Sequence, residues 1–483
     1  MARRLVKPIQ RWVRTGLIVS LLLIIVLFAR ESSRRASTVV ITDLTPLSLD
    51  GYHRILVLAP HCDDETLGSA GLMLAAQRAG IEVRVVIATN GDGFLFATME
   101  DFHKVYPHAR DFIHMGKLRQ QESLAALKLL GVQEDHVTFL SYPDRGTPSL
   151  WNEYWTIDHP YRSPYNGDTQ SPYPITYNSK SVYAGVDLLA DITSIFASYR
   201  PDLVIYPHPD DVHPDHWGLS VFTRLAAALL NYEDSSYQPT QYTYLVHRPD
   251  FPTVKGLRPA ESLLPPSPLY DLYPNWYRWD LSQEDVALKG QAVNKYRSQL
   301  PLLRGLLDSF IRGNELFAPV KSFTLPYLGG GKIQSPESWR DENGQAIQPV
   351  QWDPVGDFIV RSAIPAADLK ALYAVRDAND TLVTCAQVRG EVEASLIYSL
   401  RILAVGTQDV VRYQAQTRNK KPGWHPAALS GDLVCSQVSL SELGNPWIIF
   451  LGADVEEIGV GILDQVAWQS IYLEPNKRMA RQP

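Results

Sequence analysis

The 483-residue chain is expected to fold as an α/β domain with a doubly wound, mostly parallel sheet, followed by an all-β, sandwich-like region. Three observations predict this. Apolar runs of strand length alternate with helical spacing through the first two thirds of the chain; helical spacing largely disappears past about residue 319; and two of the early apolar runs lead directly into motifs rich in His and Asp.

The first strand is expected at 54–59, on Ile55-Leu56-Val57-Leu58, and leads through Pro60-His61-Cys62-Asp63-Asp64-Glu65 into a helix over 66–79 with Gly80 as its C-cap. A strand over 82–89, a helix over 115–130 closed by Gly131, a strand over 137–140, a helix over 181–199 and a strand over 203–206 follow, with further helices at 217–232 and 282–307. Strands that alternate with helices imply parallel pairing. In such sheets ligands bind beyond the carboxyl ends of the strands, where both His-containing motifs fall. Gly68 and Gly71 make no G-x-G-x-x-G, so a dinucleotide site is not expected, and close packing of helix on sheet accounts for them.

Between residues 146 and 179, seven aromatic residues stand among several Pro and Gly residues, from Trp151 and Trp155 to Tyr173 and Tyr177. This reads as a long ordered loop over the cleft, in contact with substrate or packed on the domain surface. Past residue 319, strand-like runs at 358–361, 395–398, 410–413, 447–451 and 458–463 are separated by Gly, Pro, Asn and Asp, without a His or acidic cluster resembling a catalytic site. The expected organisation is a membrane anchor with basic flanks over 1–35, a linker over 36–50, the α/β domain over 51–318 and a sandwich-like accessory domain over 319–483.

Composition narrows the class. Apolar residues make up 45% and charged residues 20%, a globular balance, and a net charge of -7 with no long basic stripe beyond the N-terminus argues against a nucleic-acid partner. Three cysteines without C-x-x-C spacing exclude a disulfide framework and a thiolate zinc site, so a metal must use His and carboxylates. Cys385 and Cys435 lie in strand-like contexts, and their pairing is left open.

Residues 15–29 are uncharged and mostly Leu, Ile and Val, with Arg3, Arg4, Lys7, Arg11 and Arg14 before them and Arg30, Arg34 and Arg35 after. Fifteen helical residues cover about 22 Å, short of the roughly 30 Å hydrocarbon core, so spanning needs Trp12, Val13 and snorkelling arginines. The expectation is an uncleaved single-pass anchor, N-terminus cytoplasmic and catalytic domain extracytoplasmic; a cleaved signal peptide is the alternative, but Phe28-Ala29-Arg30 lacks a small-x-small cleavage site.

A catalytic zinc typically takes three protein ligands and leaves a position for water. His61, Asp64 and His216 can supply that set, and Asp63 is then free to act as general base. Asp211 and Asp215 are read as carboxylates that orient imidazoles.

His61-Cys62-Asp63-Asp64-Glu65 together with His213-Pro214-Asp215-His216 resembles the LmbE/PIG-L family of zinc-dependent N-deacetylases. The resemblance continues through Thr89-Asn90-Gly91, Arg119 and Glu122, Leu130-Gly131-Val132, Phe139-Leu140-Ser141-Tyr142-Pro143-Asp144 and Tyr296-Arg297-Ser298-Gln299, so it spans residues 52–317. It implies a Rossmann-like fold and a hydrolase of linear amide C–N bonds that removes an N-acetyl group from an amino sugar such as N-acetylglucosamine, or from its conjugate. It also implies that His61, Asp64 and His216 bind one Zn2+ or another divalent metal. Asp63 would be the base that later protonates the departing amine, and His213 would stabilise the oxyanion. Arg119 and Asp144 would face the sugar, or serve as a helix-surface ion pair and a turn residue. The alternatives are a metal-dependent hydrolase of another amide and a non-catalytic surface carbohydrate-binding protein. Two departures stand out: Cys62 where the family commonly has Pro, read as a fourth ligand or a small buried residue, and the additional His208, which touches substrate or ends its strand.

Overall fold

The computed structural model describes residues 44–333, 335–355, 364–407, 409–418 and 423–474. The expected anchor at 1–35 and the strand-like run at 358–361 lie outside them. Among the described residues, no helix is long and apolar enough to cross a membrane.

The first sheet contains β1 (Thr45–Pro46), β2 (Arg54–Ala59), β3 (Glu82–Thr89), β4 (Val137–Tyr142), β5 (Leu203–Pro207), β6 (Thr240–Tyr244), β7 (Tyr277–Asp280) and β8 (Asn314–Pro319), in the order β1-β7-β8-β6-β5-β2-β3-β4. From β6 to β4 every pairing is parallel; β8 runs antiparallel to both β6 and β7. The apolar runs of the central strands follow from burial on both faces. Ile55 and Val57 enter one core cluster and Leu56 and Leu58 the other, as the two-residue period of a strand requires.

Helices cover both faces. On one lie α1 (Asp64–Arg78), α2 (Leu95–Asp101), α3 (Ala109–Leu129), α7 (Ser267–Leu272), α8 (Gln283–Val293) and α9 (Leu300–Leu307), with Leu67, Ala126, Leu269 and Val286 among the residues of the first cluster. On the other lie α4 (Thr147–Asn152), α5 (Gly185–Tyr199) and α6 (Pro214–Glu233), which contribute Trp151, Leu188 and Phe222 to the second. Strand order advances from β2 to β3 and β4 on one side and jumps from β2 to β5 and β6 on the other. The crevice beyond the carboxyl ends of β2 and β5 is therefore the switch point of the sheet.

Three expectations change, apart from shifts of a few residues at element ends. The loop expected over 146–179 opens with a helix, α4. The helix over 282–307 is two helices, because Pro301 has no N–H to continue a helix and fits the first turn of a new one. The intervening residues turn inward, where Tyr296 Oη donates to Glu65 (2.8 Å) and Ser298 Oγ to Glu122 (2.6 Å). The run at 458–463 is not one strand: Gly459 at φ 85° makes Ile458 and Val460 the exposed tip of a hairpin.

Past β8 the chain forms two further sheets. One is ordered β10-β11-β12-β17-β16, from Gln351–Trp352, Leu369–Arg376, Thr381–Val388, Leu433–Ser439 and Ala428–Ser430. The other is β15-β14-β13-β18-β19-β9, from His425–Pro426, Val410–Gln416, Ile397–Val405, Ile448–Glu457, Gly461–Tyr472 and Phe323–Thr324. Both are mainly antiparallel and enclose an aliphatic core that includes Leu372, Leu400 and Leu451. Cys385 and Cys435 stand directly opposite on β12 and β17, with Cα atoms 4.1 Å apart, and form a disulfide.

The outer face of the six-stranded sheet seats on α4 and α6. Trp151 is fully buried, with Trp155, Phe222, Phe450 and Trp468 edge-on around it at 5.1–5.8 Å. Arg224 on α6 donates to the Trp468 carbonyl (2.6 Å), Gln469 Oε1 (2.5 Å) and Ser470 Oγ (2.7 Å). Replacing Trp151 with Ala is expected to cost about 3–5 kcal/mol, read as a lower chemical-unfolding midpoint. Replacing Cys385 and Cys435 together with Ser is expected to cost about 2–4 kcal/mol, read as a lower chemical-unfolding midpoint under oxidising conditions.

Candidate metal centre

The site begins where β2 ends. Asp63 caps α1 with φ 152° and ψ -30°, a conformation that costs a non-glycine residue about 1–3 kcal/mol and persists only where the surroundings impose it. They do so here: the Asp63 N–H lies between the His61 carbonyl (3.1 Å) and Glu65 Oε2 (3.0 Å), and Glu65 is itself held by Ser123 Oγ (2.6 Å) and Tyr296. His61 and Asp64 are thereby turned into the crevice from either side of Asp63.

Asp64 Oδ2 lies 3.0 Å from His61 Nδ1 and 3.0 Å from His216 Nε2. Despite this proximity, His216 Nε2 and Asp64 Oδ1 make no directed hydrogen bond although both are buried. One ligand atom from each of His61, Asp64, His216 and His247 falls within 4.8 Å of the others; His61, His213 and Asp215 satisfy the same condition. The electrostatics favour positive charge at this point. Burial by itself depresses both imidazoles, but Asp211 and Asp64 raise His216 to about 9, and Asp144, Asp215 and Asp64 raise His61 well above its ordinary value. Burial by itself raises the Asp64 carboxyl, yet His216 and His61 hold it well below the usual carboxylate range. Buried nitrogen and oxygen atoms without directed partners, in a field that selects a cation, fit a divalent metal with His and carboxylate ligands.

A single carboxylate arranges the imidazoles. Asp211 Oδ1 accepts the His213 N–H (3.0 Å); Oδ2 accepts the N–H groups of Val246 (3.0 Å) and His247 (2.9 Å) and lies 3.0 Å from His216 Nδ1. His213 caps α6 and accepts the Asp215 N–H at Nδ1 (3.3 Å), so its neutral ring carries the proton on Nε2. Burial and the neighbouring His61 and His247 hold it well below its ordinary value, which keeps it neutral.

Asp215 joins the centre to α4. Its Oδ2 takes the Arg145 N–H (2.6 Å) and lies 3.2 Å from His61 Nε2; its Oδ1 takes the Thr147 N–H (3.1 Å) and Oγ1 (2.7 Å). Asp144 Oδ1 lies 3.4 Å from His61 Nε2 while its Oδ2 accepts the Gly93 N–H (2.7 Å).

Arg119 is buried rather than on a helix surface. Its guanidinium donates to the Gly91 carbonyl (2.9 Å), the Cys62 carbonyl (2.9 Å) and Asp63 Oδ2 (3.2 Å). Gly91, at φ 63°, is required for this contact, because a Cβ there would lie 1.8 Å from Arg119 Nη1. Burial pushes Asp63 up to about 7 although Arg119 opposes it.

His61, Asp63, Asp64, Arg119, Asp144, Asp211, His213, Asp215 and His216 thus converge on one crevice, whereas Cys62 and His208 do not turn into it. Cys62 is fully buried in the apolar core, with burial raising its thiol. His208 stacks on Trp276 at 5.4 Å, and its Nδ1 accepts the Asp210 N–H (3.1 Å). The segment over 146–179 is ordered and divided in role: Trp151, Trp155 and Tyr173 are buried, and Tyr173 Oη (2.7 Å) and Asn166 Nδ2 (3.1 Å) donate to Asp92. The motifs did not include His247. Its signal is position, three residues past the end of β6, the parallel neighbour of β5.

Removing the shared carboxylate by Asp211→Ala is expected to weaken metal binding about 10–100-fold, the usual scale for partners that orient ligating histidines, as measured by chelator competition.

A family model described as PIG-L, GlcNAc-PI de-N-acetylase, matches residues 56–227. The 1D-myo-inositol 2-acetamido-2-deoxy-alpha-D-glucopyranoside deacetylase of Mycobacterium sp. (strain KMS) is 30% identical over 174 residues, 36% of this chain and 49% of that protein. The protein of the same description from Corynebacterium glutamicum (strain R) is 24% identical over 181 residues, 36% of this chain and 52% of that one. The chain therefore spans about half the length of the curated relatives it matches. Among solved structures, N,N'-diacetylchitobiose deacetylase from Pyrococcus horikoshii is 18% identical with a TM-score of 0.35, covering 56% of this chain and 84% of that one. A deacetylase of the teicoplanin biosynthesis pathway is 20% identical with a TM-score of 0.35, covering 55% and 97%. Residues 56–227, which carry both His-containing motifs, form a PIG-L/LmbE family domain.

Proposed function

We propose that this protein is a zinc-dependent N-deacetylase that hydrolyses the acetamide of an N-acetylated amino sugar or glycoconjugate outside the cytoplasm, tethered by its N-terminal segment. The observation that carries this reading is the meeting of His61, Asp64 and His216 at one point, with Asp63 and His213 beside them. The description of the mycobacterial relative, a deacetylase of an acetamido sugar, supports the substrate class. The Cys385–Cys435 disulfide supports an oxidising compartment.

Bound zinc would supply Lewis acidity toward the acetyl carbonyl and would acidify water. The chain's own residues do the rest. Asp63, oriented by Arg119, accepts a proton from the attacking water as its oxygen bonds to the acyl carbon. Asp63 then returns that proton to the nitrogen as the C–N bond breaks, releasing acetate and the free amine. His213 donates from Nε2 to the developing oxyanion, its ring fixed by the Asp215 N–H at the opposite nitrogen. Asp144 and Asp215, with the Arg145 backbone, form the wall next to His61.

Metal analysis of the purified chain is expected to find about one zinc, lost in His61→Ala and in Asp64→Ala. Asp63→Asn is expected to retain the metal and lose about 10²–10⁴-fold in acetate release from N-acetylated sugars. A folded wild-type chain without bound metal, or full turnover in Asp63→Asn, would overturn the proposal.

A further inference from the structure

On the reading that His61, Asp64 and His216 hold zinc, we propose that His247 is a fourth, displaceable protein ligand of the same ion. Its Nε2 lies 3.8 Å from Asp64 Oδ1, a buried carboxylate oxygen that makes no hydrogen bond. Its ring contacts His216 at 4.7 Å and His213 at 5.1 Å between centroids. Its ligand atom belongs to the group that falls within 4.8 Å of those of the other three residues.

The placement is built into the backbone. The His247 N–H is held by the Asp211 oxygen that also faces His216 Nδ1, and the His247 carbonyl accepts the Val212 N–H (2.9 Å). One carboxylate thus fixes two candidate ligands from different elements, α6 and the segment after β6.

Displaceability follows from unequal exposure. The His61, Asp64 and His216 side chains are 8%, 0% and 0% exposed, whereas His247 is 28% exposed and stands at the solvent side. Four protein ligands mark a closed structural zinc site, and catalytic sites keep a position open for water or expand to five ligands. A loosely held fourth imidazole reconciles the two: it completes the site at rest and yields its position, or makes room, when substrate or water arrives. The substitution should change metal retention because an imidazole donor is lost, beyond any effect on substrate contact.

The test uses the full chain and does not depend on turnover. Zinc affinity is measured by chelator competition for wild type, His247→Ala and His247→Ala with added imidazole, and visible absorption is recorded for the same proteins loaded with Co2+. His247→Ala is expected to weaken zinc by at least about tenfold, since even residues that only orient ligands act on that scale. It should also alter the Co2+ spectrum, and free imidazole should restore both. A thermal midpoint of the metal-free variant equal to wild type separates ligand loss from misfolding. Unchanged affinity and an unchanged Co2+ spectrum in His247→Ala, with zinc bound normally by wild type, overturn the role of His247 alone. Changed KM or kcat with unaltered affinity overturns it likewise and makes His247 a substrate contact. A wild-type chain that binds no zinc overturns the metal centre itself.

Discussion

Burying five aspartates, Asp63, Asp64, Asp144, Asp211 and Asp215, around one crevice is the constraint to which the surrounding structure answers. Carboxylates so close together in a desolvated site repel one another and lose hydration, so each needs a donor or a positive charge. Two helix N-termini supply part of the answer: Asp64 lies in the first turn of α1 and Asp215 in that of α6. Backbone N–H groups at Gly93, Arg145, Thr147, Val246 and His247 supply another part. Arg119 serves Asp63, and the imidazoles of His61 and His216 serve the rest. The carboxylates around His61 and His216 raise both imidazoles, so the field at the point between His61, Asp64 and His216 favours a cation.

The same constraint ties remote parts of the chain to the centre. Thr147, which holds Asp215, opens the helix whose Trp151 is enclosed by Phe450 and Trp468 of the six-stranded sheet. Arg412 stacks on Trp155 at 4.8 Å from the same sheet. The β-rich region therefore shares a core with the elements that shape the crevice and is not an appendage on a free linker. On the opposite face, Tyr296 and Ser298 reach Glu65 and Glu122 from the break between α8 and α9, so an interruption that looks like lost helix stabilises the strained turn at Asp63.

Much of this was readable before any fold was known. The β2 and β3 runs fell on the observed strands because continuous apolar segments bounded by Gly and polar residues have few other uses in a doubly covered sheet. His61, Asp63, Asp64, His213 and His216 were legible because strand-turn-helix units place their polar side chains within a few residues of one another. β6, β7 and β8 were not: Thr240-Gln241-Tyr242-Thr243-Tyr244 mixes polar and aromatic residues, and its strand character comes from pairing with β5 and β8. His247 was missed for the related reason that it stands alone in Leu245-Val246-His247-Arg248, with no second ligand type at a telling spacing.

Local pattern alone therefore specified the alternation of strands and helices, the His and Asp residues that cluster after β2 and β5 and the adjacency of Asp63 and Asp64, since these depend on residues within one turn of each other. The hold of Asp211 on the Val246 and His247 N–H groups, the burial of Arg119 against Asp63, the approach of His247 and the pairing of Cys385 with Cys435 came only with the assembled fold. Each joins segments far apart in the chain. Which segments meet is set by strand order and by the summed packing of whole faces, and no short stretch of residues encodes that sum.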